Sequence, residues 1–405
     1  MKGPTIDAGR MLDDLDQLNR CGADPGPGIS RVAFSPADLA GRALVETWLR
    51  ELGLDVSRDA AGNTLARAEG AEPGLPAIAL GSHTDTVPDG GRFDGALGVV
   101  AAVACARALA TSGAGLRHPL EVLNFVAEEA TMGAGTLGSR AMAGLLDGAS
   151  LHTTALDGRT LVDHLAEAGI DPAGMTRARR SRGELAAYLE LHIEQGGVLE
   201  AEGRRLGIVT GIVGIRRFRV VFKGRANHAG TTPMTQREDA LVHAAPFVTG
   251  ARDVALAHGV VATVGTVLVH PGAPNVIPGR VELGCEVRSL DVDVIEQVEV
   301  ELRALAERLG GALDRAADTP PARSAERPLE ALRAAATVVG QPARELASGA
   351  GHDAMSMAAI TEQAMLFVPS RDGVSHAPAE DTQPEDCELG ANALLAAVLE
   401  LDRAS

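Results

Sequence analysis

Short apolar runs alternate with longer helical patterns in the first part of the chain. Residues 35–54 have the periodicity of an amphipathic helix. The runs Leu75–Leu80 and Leu120–Ala127 have the composition of buried strands, and between them Gly98–Leu109 is a small-residue apolar segment that suits a closely packed helix. This order of strand, helix and strand predicts an α/β fold with a mostly parallel sheet and helices on its faces.

The pattern changes near residue 213, where apolar and basic residues begin to alternate as they do in half-exposed strands. The segments predicted there are the strands Arg217–Lys223, Val260–His270 and Gly279–Ser289 and the helices Glu238–Gly250 and Val292–Leu309. Two helices on one face of an antiparallel sheet account for this block as an α+β insert. Asp318–Ala322 has the composition of a linker out of it.

A predicted strand at Ala364–Val368 and a predicted helix at Glu385–Leu401 resume the first pattern near the end of the chain. We therefore predict a discontinuous catalytic domain, residues 1–212 and 322–405, with an inserted lid domain, residues 213–321. At 405 residues, the chain is long enough for two cores.

Composition narrows the classes of partner. A net charge of -17 argues against nucleic acid and anionic membranes, and aromatic residues at 2% leave few platforms for base stacking. The four cysteines are far apart, which disfavours a disulfide scaffold or a cysteine-based zinc site. The N-terminus lacks the pattern of a secretory signal, and no stretch approaches the ~20 apolar residues of a membrane span. These features predict a cytoplasmic protein.

The first group of candidate site residues follows the predicted strand that ends near Leu80. His83 lies where open α/β sheets bind their ligands, and Asp85, two positions on, can accept the other N–H of its ring and fix the tautomer. Asp94 has glycines on both sides and could bridge two metal ions. A histidine-containing turn beside a surface aspartate is an equally good interpretation of this group alone.

Further candidates follow other apolar runs. Glu128 and Glu129 come after Leu120–Ala127, so one carboxylate can bind a metal while the other acts as general base. His192 and His376 each follow a short apolar run. Each of these alone is more typical of surface or core positions. Together, three histidines and two carboxylates at strand ends suit two divalent ions that share one carboxylate.

Several longer motifs resemble the M20 metallopeptidase superfamily, and within it the hydantoinase/carbamoylase branch. In chain order they are Gly28–Arg31, Asp59–Asn63, Gly81–Val87, Gly138–Arg140, His192–Gly196, Ala226–Met234, Pro274–Gly279 and Ser348–Asp353. The resemblance covers nearly the whole chain. It implies an amidohydrolase that cleaves the carbamoyl C–N bond of a small N-carbamoyl-L-amino acid. Allantoate or ureidoglycolate hydrolysis, N-acyl-amino acid or dipeptide cleavage, and a non-catalytic binding protein on this scaffold are the alternatives.

The resemblance also assigns roles to residues. It implies that His83 and His192 bind one metal, that Glu129 and His376 bind the other, and that Asp94 bridges them. It implies two divalent ions per subunit, for which zinc, manganese, cobalt and nickel all suit the ligands. Glu128 resembles the general base. A histidine at 192 is typical of the carbamoylases, whereas peptidases of the superfamily usually have a carboxylate there.

Substrate contacts are implied in the same way. Arg288 would bind the substrate carboxylate through its guanidinium fork, and Gln195 would add a polar contact. His228 and Asn275, in the inserted domain, would reach the active site of the partner in a homodimer, where His228 would act as a catalytic residue that stabilises the oxyanion. One departure is the run Ala130–Thr136, which lacks the Arg-Phe pair that many carbamoylases carry there. This difference leaves the preferred ureido or amide compound open.

Overall fold

The computed structural model describes residues 3–23, 26–72, 74–146 and 148–404, and these belong to two compact units. Unit 1 comprises Met1–Gly211 and Arg323–Ser405, and unit 2 comprises Ile212–Ala322. The segment 213–321 that the sequence pattern sets apart lies within unit 2. Its role as a lid and dimerisation domain stays a prediction.

The helices are, in chain order, α1 (Ala8–Arg20), α2 (Pro36–Glu51), α3 (Ala96–Ser112), α4 (Leu137–Ala143), α5 (Leu161–Glu167), α6 (Val198–Ala201), α7 (Ala240–His258), α8 (Val292–Arg308), α9 (Glu326–Val338), α10 (Asp353–Met357) and α11 (Pro384–Arg403). The strands are β1 (Asp55–Arg58), β2 (Thr64–Ala68), β3 (Ala77–His83), β4 (Leu120–Phe125), β5 (Leu185–Ile193), β6 (Gly207–Ile212), β7 (Gly214–Lys223), β8 (Val261–His270), β9 (Arg280–Ser289), β10 (Gly311–Thr319), β11 (Ala322–Arg323), β12 (Arg344–Ser348) and β13 (Gln363–Val368).

The sheet of unit 1 has the order β1-β2-β4-β3-β5-β13-β6-β11, with β12 paired to β6. Its central strands β4, β3, β5 and β13 run parallel, whereas β2 and β6 join them antiparallel on either side. This confirms the predicted α/β class. The parallel strands end at one edge of the sheet, and that edge carries the candidate residues of unit 1.

Helix α3 packs unusually close to this sheet because its residues are small. A Cβ added at Gly98 would lie 2.8 Å from the Cβ of Ser82 and 2.4 Å from the carbonyl oxygen of Leu191. No side chain other than hydrogen fits in that space, so the small-residue composition of this segment sets the helix–sheet distance. The strand before it begins at Ala77 rather than at Leu75, after Pro76, which has no N–H to donate to a ladder.

Unit 2 is a four-stranded antiparallel sheet in the order β10-β7-β9-β8. In β9, Val281, Leu283, Cys285 and Val287 are buried and alternate with residues of the opposite face. α7 and α8 contribute Phe247 and Leu302 to the same apolar cluster. Two helices on one face of an antiparallel sheet agree with the predicted α+β arrangement.

One predicted linker is wrong in part. Asp318 and Thr319, placed by the sequence in a linker, are the last residues of β10 and pair with Arg216 and Ile215 of β7. β10 is rich in exposed charged residues and therefore lacks the apolar alternation of a strand. Its Asp318 is held by an ion pair with Arg216 at 2.9 Å. Among the helices that the structure describes, none is long and apolar enough to cross a bilayer.

Candidate metal centre

Six side chains from strand ends and the loops that follow them meet at the carboxyl edge of the parallel strands in unit 1. His83 is the last residue of β3, His192 is the penultimate residue of β5, and Glu128 and Glu129 follow β4. Asp94 lies in the loop before α3, and His376 lies in the loop after β13. All of these except His376 are buried. The structure therefore brings together the side chains that the sequence predicts as metal ligands and general base.

The ring of His83 is fixed by a backbone carbonyl. Its Nδ1 lies 3.0 Å from the carbonyl oxygen of Asp85 and 3.7 Å from the Oδ1 of the same residue. The Asp85 carboxylate instead accepts the N–H groups of Glu128 and Glu129, at 3.2 and 3.1 Å. We predicted a hydrogen bond between the His83 ring and the Asp85 carboxylate. The structure instead has a hydrogen bond between His83 Nδ1 and the Asp85 backbone carbonyl, because the carbonyl oxygen lies closer to Nδ1 than the carboxylate does. Asp85 positions the glutamate pair.

His192 is fixed in the same manner. Its Nδ1 lies 2.8 Å from the carbonyl oxygen of Ile193, so Nδ1 carries the proton and Nε2 presents a lone pair. That Nε2 is 3.3 Å from Asp94 Oδ1, and the Nε2 of His83 is 3.5 Å from the same oxygen. The Nε2 atoms of both imidazoles therefore face one carboxylate oxygen.

The other oxygen of Asp94 faces a second group. Asp94 Oδ2 is 3.4 Å from His376 Nε2, which in turn is 3.3 Å from Glu129 Oε1. The two ligand sets, His83–Asp94–His192 and Asp94–Glu129–His376, each have donor atoms close enough to surround one ion, and they share Asp94. A carboxylate with one oxygen directed at each set is the arrangement that two neighbouring cations require.

The backbone around the centre is held in uncommon conformations. Ala127, directly before the glutamate pair, has φ 50°, Gln195 has φ 58° and His376 has φ 56°. Such left-handed conformations are costly for residues other than glycine and are found where the surrounding structure imposes them. At Gly95, with φ 62°, an added Cβ would lie 2.3 Å from Cε1 of His83, so only glycine fits.

The ionisable groups of the centre perturb one another strongly. Burial raises the pKa of Glu129 to about 7, and the Asp94 carboxylate adds to that rise. Burial also raises the pKa of Glu128 well above its usual range, against the opposing effect of His83. A hydrogen bond to Asp94 raises the pKa of His376 to about 9. The two glutamate pKa shifts come first from burial, and a cation bound among these carboxylates would neutralise their negative charge.

The donor set fits divalent metal ions. An Nε2 lone pair that faces a carboxylate oxygen at about 3.5 Å is repulsive unless a proton or a cation lies between them. His83 and His192 each place Nδ1 on a backbone carbonyl, and His192 Nε2 also accepts the N–H of Gly95 at 3.2 Å, so a cation between Nε2 and Asp94 would take the place of a second ring proton. Buried imidazole and carboxylate ligands suit zinc, manganese, cobalt and nickel.

Gln195 is placed against the centre. Its Nε2 donates to Asp94 Oδ2 at 2.5 Å, and its Oε1 is buried with no hydrogen-bond partner among the described residues. An unpartnered buried amide oxygen is costly, so a donor is expected to reach it. Gln195 was predicted as a polar substrate contact, and this orphan oxygen is consistent with that prediction.

The three remaining predicted residues belong to unit 2. His228 and Asn275 are exposed and lie on two loops that pair with each other: Ala229 donates to the Asn275 carbonyl at 2.9 Å, and His228 forms a β-bridge with Val276. Arg288 lies on β9, where its Nε donates to Glu286 Oε1 at 2.7 Å. Within unit 2 the structure therefore brings His228 and Asn275 together.

Four polar residues next to the centre were not predicted from the sequence as site residues. They are Glu190, which accepts from Ser82 and Tyr188; His352, whose ring centroid lies 4.5 Å from that of His192; Ser375; and Glu380. His352 lies in a motif of the family resemblance, which could have identified it. Glu380 has no signal in the local pattern, because the two backbone N–H groups that it accepts are more than 280 residues away along the chain.

Comparison with known proteins identifies the family of this chain. Residues 79–400 match peptidase family M20/M25/M40. An N-carbamoyl-L-amino-acid amidohydrolase from Paenarthrobacter aurescens is 41% identical, with 98% of each chain covered. A ureidoglycolate hydrolase from Oryza sativa is 34% identical over 98% of this chain and 85% of its own.

A solved structure gives the same result for the fold. The crystal structure of an amidase of the hydantoinase/carbamoylase family from Burkholderia multivorans is similar with a TM-score of 0.89, at 37% identity and with 98% of each chain covered. The match extends over both units. This chain belongs to the M20/M25/M40 peptidase family.

Proposed function

We propose that this protein is a metal-dependent amidohydrolase that cleaves the carbamoyl C–N bond of N-carbamoyl-L-amino acids. The observation that carries the proposal is the pair of ligand sets that share Asp94, in a chain 41% identical to an N-carbamoyl-L-amino-acid amidohydrolase. His83 and His192 would hold one divalent ion and Glu129 and His376 the other. Such ions, when bound, acidify water and polarise the carbonyl group that is attacked.

Glu128 is the proposed general base. Hydrolysis of a ureido bond needs a proton removed from the attacking water and a proton delivered to the departing nitrogen. The Glu128 carboxylate lies 3.6 Å from His83 Nε2, and its N–H is anchored on Asp85. Because burial raises its pKa, this carboxylate can hold the water proton and then pass it to the nitrogen as the C–N bond breaks. The products are the amino acid and carbamate, which breaks down to ammonia and carbon dioxide.

Arg288 is the proposed partner of the substrate carboxylate, with His228 and Asn275 as further contacts. A guanidinium matches a carboxylate bidentately, and Glu286 holds Arg288 through Nε. The exposed positions of His228 and Asn275 leave their side chains accessible to a ligand.

We also propose a homodimer formed through unit 2. β8 is an edge strand of ten residues with Val261, Val267 and Leu268 exposed, and the adjoining α7 exposes Val242 and Leu256. A long apolar edge strand is a template for pairing with another chain. A second copy related by a two-fold axis would cover both copies of this surface at once.

Leu268→Lys should halve the mass measured by light scattering, whereas Val300→Lys, exposed on α8, should not.

The test of the activity is a substrate panel on protein stripped of metal and refilled with zinc, manganese, cobalt or nickel. N-carbamoyl-L-amino acids should be hydrolysed with release of ammonia, faster than ureidoglycolate, allantoate, N-acetyl-amino acids or dipeptides. Faster turnover of ureidoglycolate would transfer the assignment to that substrate, which the 34% identical relative from rice favours as the second candidate. Turnover of N-acetyl-amino acids or dipeptides alone would overturn the carbamoyl assignment.

A further inference from the structure

Glu380 connects the loop that carries Asp94, the ligand shared by both sets, with the loop that carries His376. It is buried, 2% exposed, in the loop between His376 and α11. Its Oε1 accepts the N–H of Phe93 at 2.8 Å and the N–H of Asp94 at 3.0 Å. One carboxylate oxygen therefore fixes two successive peptide groups, and with them the direction in which the Asp94 side chain leaves the backbone.

The other oxygen of Glu380 reaches the same aspartate through a hydroxyl. Ser375 Oγ lies 2.9 Å from Glu380 Oε2 and 2.8 Å from Asp94 Oδ2. Ser375 directly precedes His376, so this contact also sets the position of the loop that carries the histidine. The Glu380 carboxylate is thus linked to Asp94 at both ends, through its backbone and through its side chain.

Gly91 has no side chain, and this leaves space for the Glu380 carboxylate. A Cβ added at Gly91 would lie 2.1 Å from Glu380 Oε1. Any larger residue at 91 would displace the carboxylate from the Phe93 and Asp94 N–H groups. Gly91 and Gly95 therefore lie at the two ends of a short loop. The Glu380 carboxylate lies against Gly91, and the ring of His83 lies against Gly95.

We infer that Glu380 is a positioning residue for the shared metal ligand, acting through the backbone of residues 93–94 and the hydroxyl of Ser375. This inference rests on the proposed metal centre. Glu380 itself offers no ligand atom to the centre, since its Oε1 accepts the N–H groups of Phe93 and Asp94 and its Oε2 contacts Ser375 Oγ. Its effect should be larger on the Asp94–Glu129–His376 set than on the His83–Asp94–His192 set, because it holds two members of the former. Partners of this kind typically change metal affinity by about 10–100-fold.

The test is a titration of metal-free, full-length protein with Zn²⁺ against a chromogenic chelator, without substrate. The wild type should bind two equivalents. Glu380→Ala should bind one equivalent with nearly unchanged affinity and the other about 10–100-fold more weakly. Two equivalents bound with wild-type affinity by folded Glu380→Ala would overturn the inference.

Glu380→Gln separates geometry from charge. Its amide oxygen can still accept from Phe93 and Asp94, and its NH₂ can donate to Ser375 Oγ, whose own proton then goes to Asp94. Both zinc affinities should stay within about threefold of the wild type, well below the 10–100-fold loss expected for Glu380→Ala. A loss as large as in Glu380→Ala would overturn positioning as the role. Asp381→Asn is the matched control, because Asp381 pairs with Arg371 on the surface.

Ser375→Ala and Gly91→Ala keep the inference testable if Glu380→Ala does not fold. The first removes the hydroxyl between Asp94 and Glu380, and the second pushes the carboxylate from its place. Each should weaken the same equivalent of zinc, and unchanged affinity in both would contradict the inference. A wild-type protein that binds no zinc would instead refute the metal centre. Normal zinc binding without carbamoyl hydrolysis would refute only the proposed substrate.

Discussion

The predicted catalytic residues of unit 1 and the predicted substrate contacts of unit 2 differ in how firmly the chain holds them. In unit 1, His83 and His192 are 1% exposed and each ring is fixed through Nδ1 by a backbone carbonyl. In unit 2, His228 and Asn275 are exposed, and Arg288 pairs with Glu286 at a side-chain exposure of 31%. The first group is buried, whereas the second is exposed or half-buried and is held by local contacts such as the Gly230 N–H on His228 Nδ1 at 3.0 Å.

This difference teaches where each group should act. A preorganised set of buried donors loses little entropy when it binds an ion, whereas exposed side chains lose rotamer freedom when they bind a substrate. Changes in unit 1 should therefore affect metal content and the chemical step, and changes at Arg288 and Asn275 in unit 2 should affect substrate affinity. A unit-2 variant that changed metal content would contradict the comparison.

Metal removal should have the largest effect. Dialysis against a chelator should lower kcat/KM for an N-carbamoyl-L-amino acid by about 10⁴-fold or more, because the cations supply several kcal/mol of transition-state stabilisation. Zinc or manganese should restore it. The unfolding transition should also shift, since an ion at about 100 times its Kd stabilises the protein by ~2.7 kcal/mol. Calorimetry and activity on the same samples measure both, and full activity of chelated protein with no detectable metal would refute the metal centre.

Glu128→Gln should have the next largest effect. Loss of the general base should lower kcat by about 10²–10⁴-fold, while the zinc content measured by mass spectrometry stays at the wild-type level. Glu184→Gln is the control, since Glu184 is a surface residue that pairs with Arg180. If Glu128→Gln kept full activity, the assignment of the base would be wrong.

The residues at the ends of parallel strands are those that the sequence could predict. His83, Glu129 and His192 each follow or end an apolar run, and the carboxyl ends of parallel strands must meet at one edge. That argument needs only local pattern and topology. It therefore finds residues that the sheet itself positions.

Contacts between distant loops could not be predicted. Glu380 lies in no apolar run, and its N–H donors belong to a loop that only the folded chain brings near. For Asp85 the spacing allowed two acceptors, the carboxylate and the backbone carbonyl, and the closeness of the carbonyl to Nδ1 decided between them. β10 was missed because its exposed charges hide the strand pattern.

Arg288→Lys should act on affinity. A lysine loses the bidentate fork, which is worth ~1.5–3 kcal/mol for a charged hydrogen bond, so KM should rise by about 10–100-fold with kcat and metal content little changed. Arg219→Lys is a control, because Arg219 lies on the adjacent strand β7 and also pairs through Nε with a glutamate of β9, Glu282, at 3.3 Å. Equal KM values for Arg288→Lys and the wild type would remove Arg288 from the substrate site.

Recovery of activity on mixing two inactive variants is the smallest expected effect. It tests whether His228 of unit 2 contributes to the metal centre of its own chain or to that of its partner. If His228 serves the partner's centre, Glu128→Gln homodimers and His228→Ala homodimers are both impaired, but a mixed dimer has one complete site. Random reassociation at equal amounts should then restore about a quarter of wild-type activity, as the two-fold symmetry of a dimer requires. Mixing Glu128→Gln with Glu129→Ala is the control, because both changes affect the same centre and no dimer can combine an intact pair. No recovery in the first mixture, with subunit exchange verified by native mass spectrometry, would mean that His228 acts within its own chain or not at all.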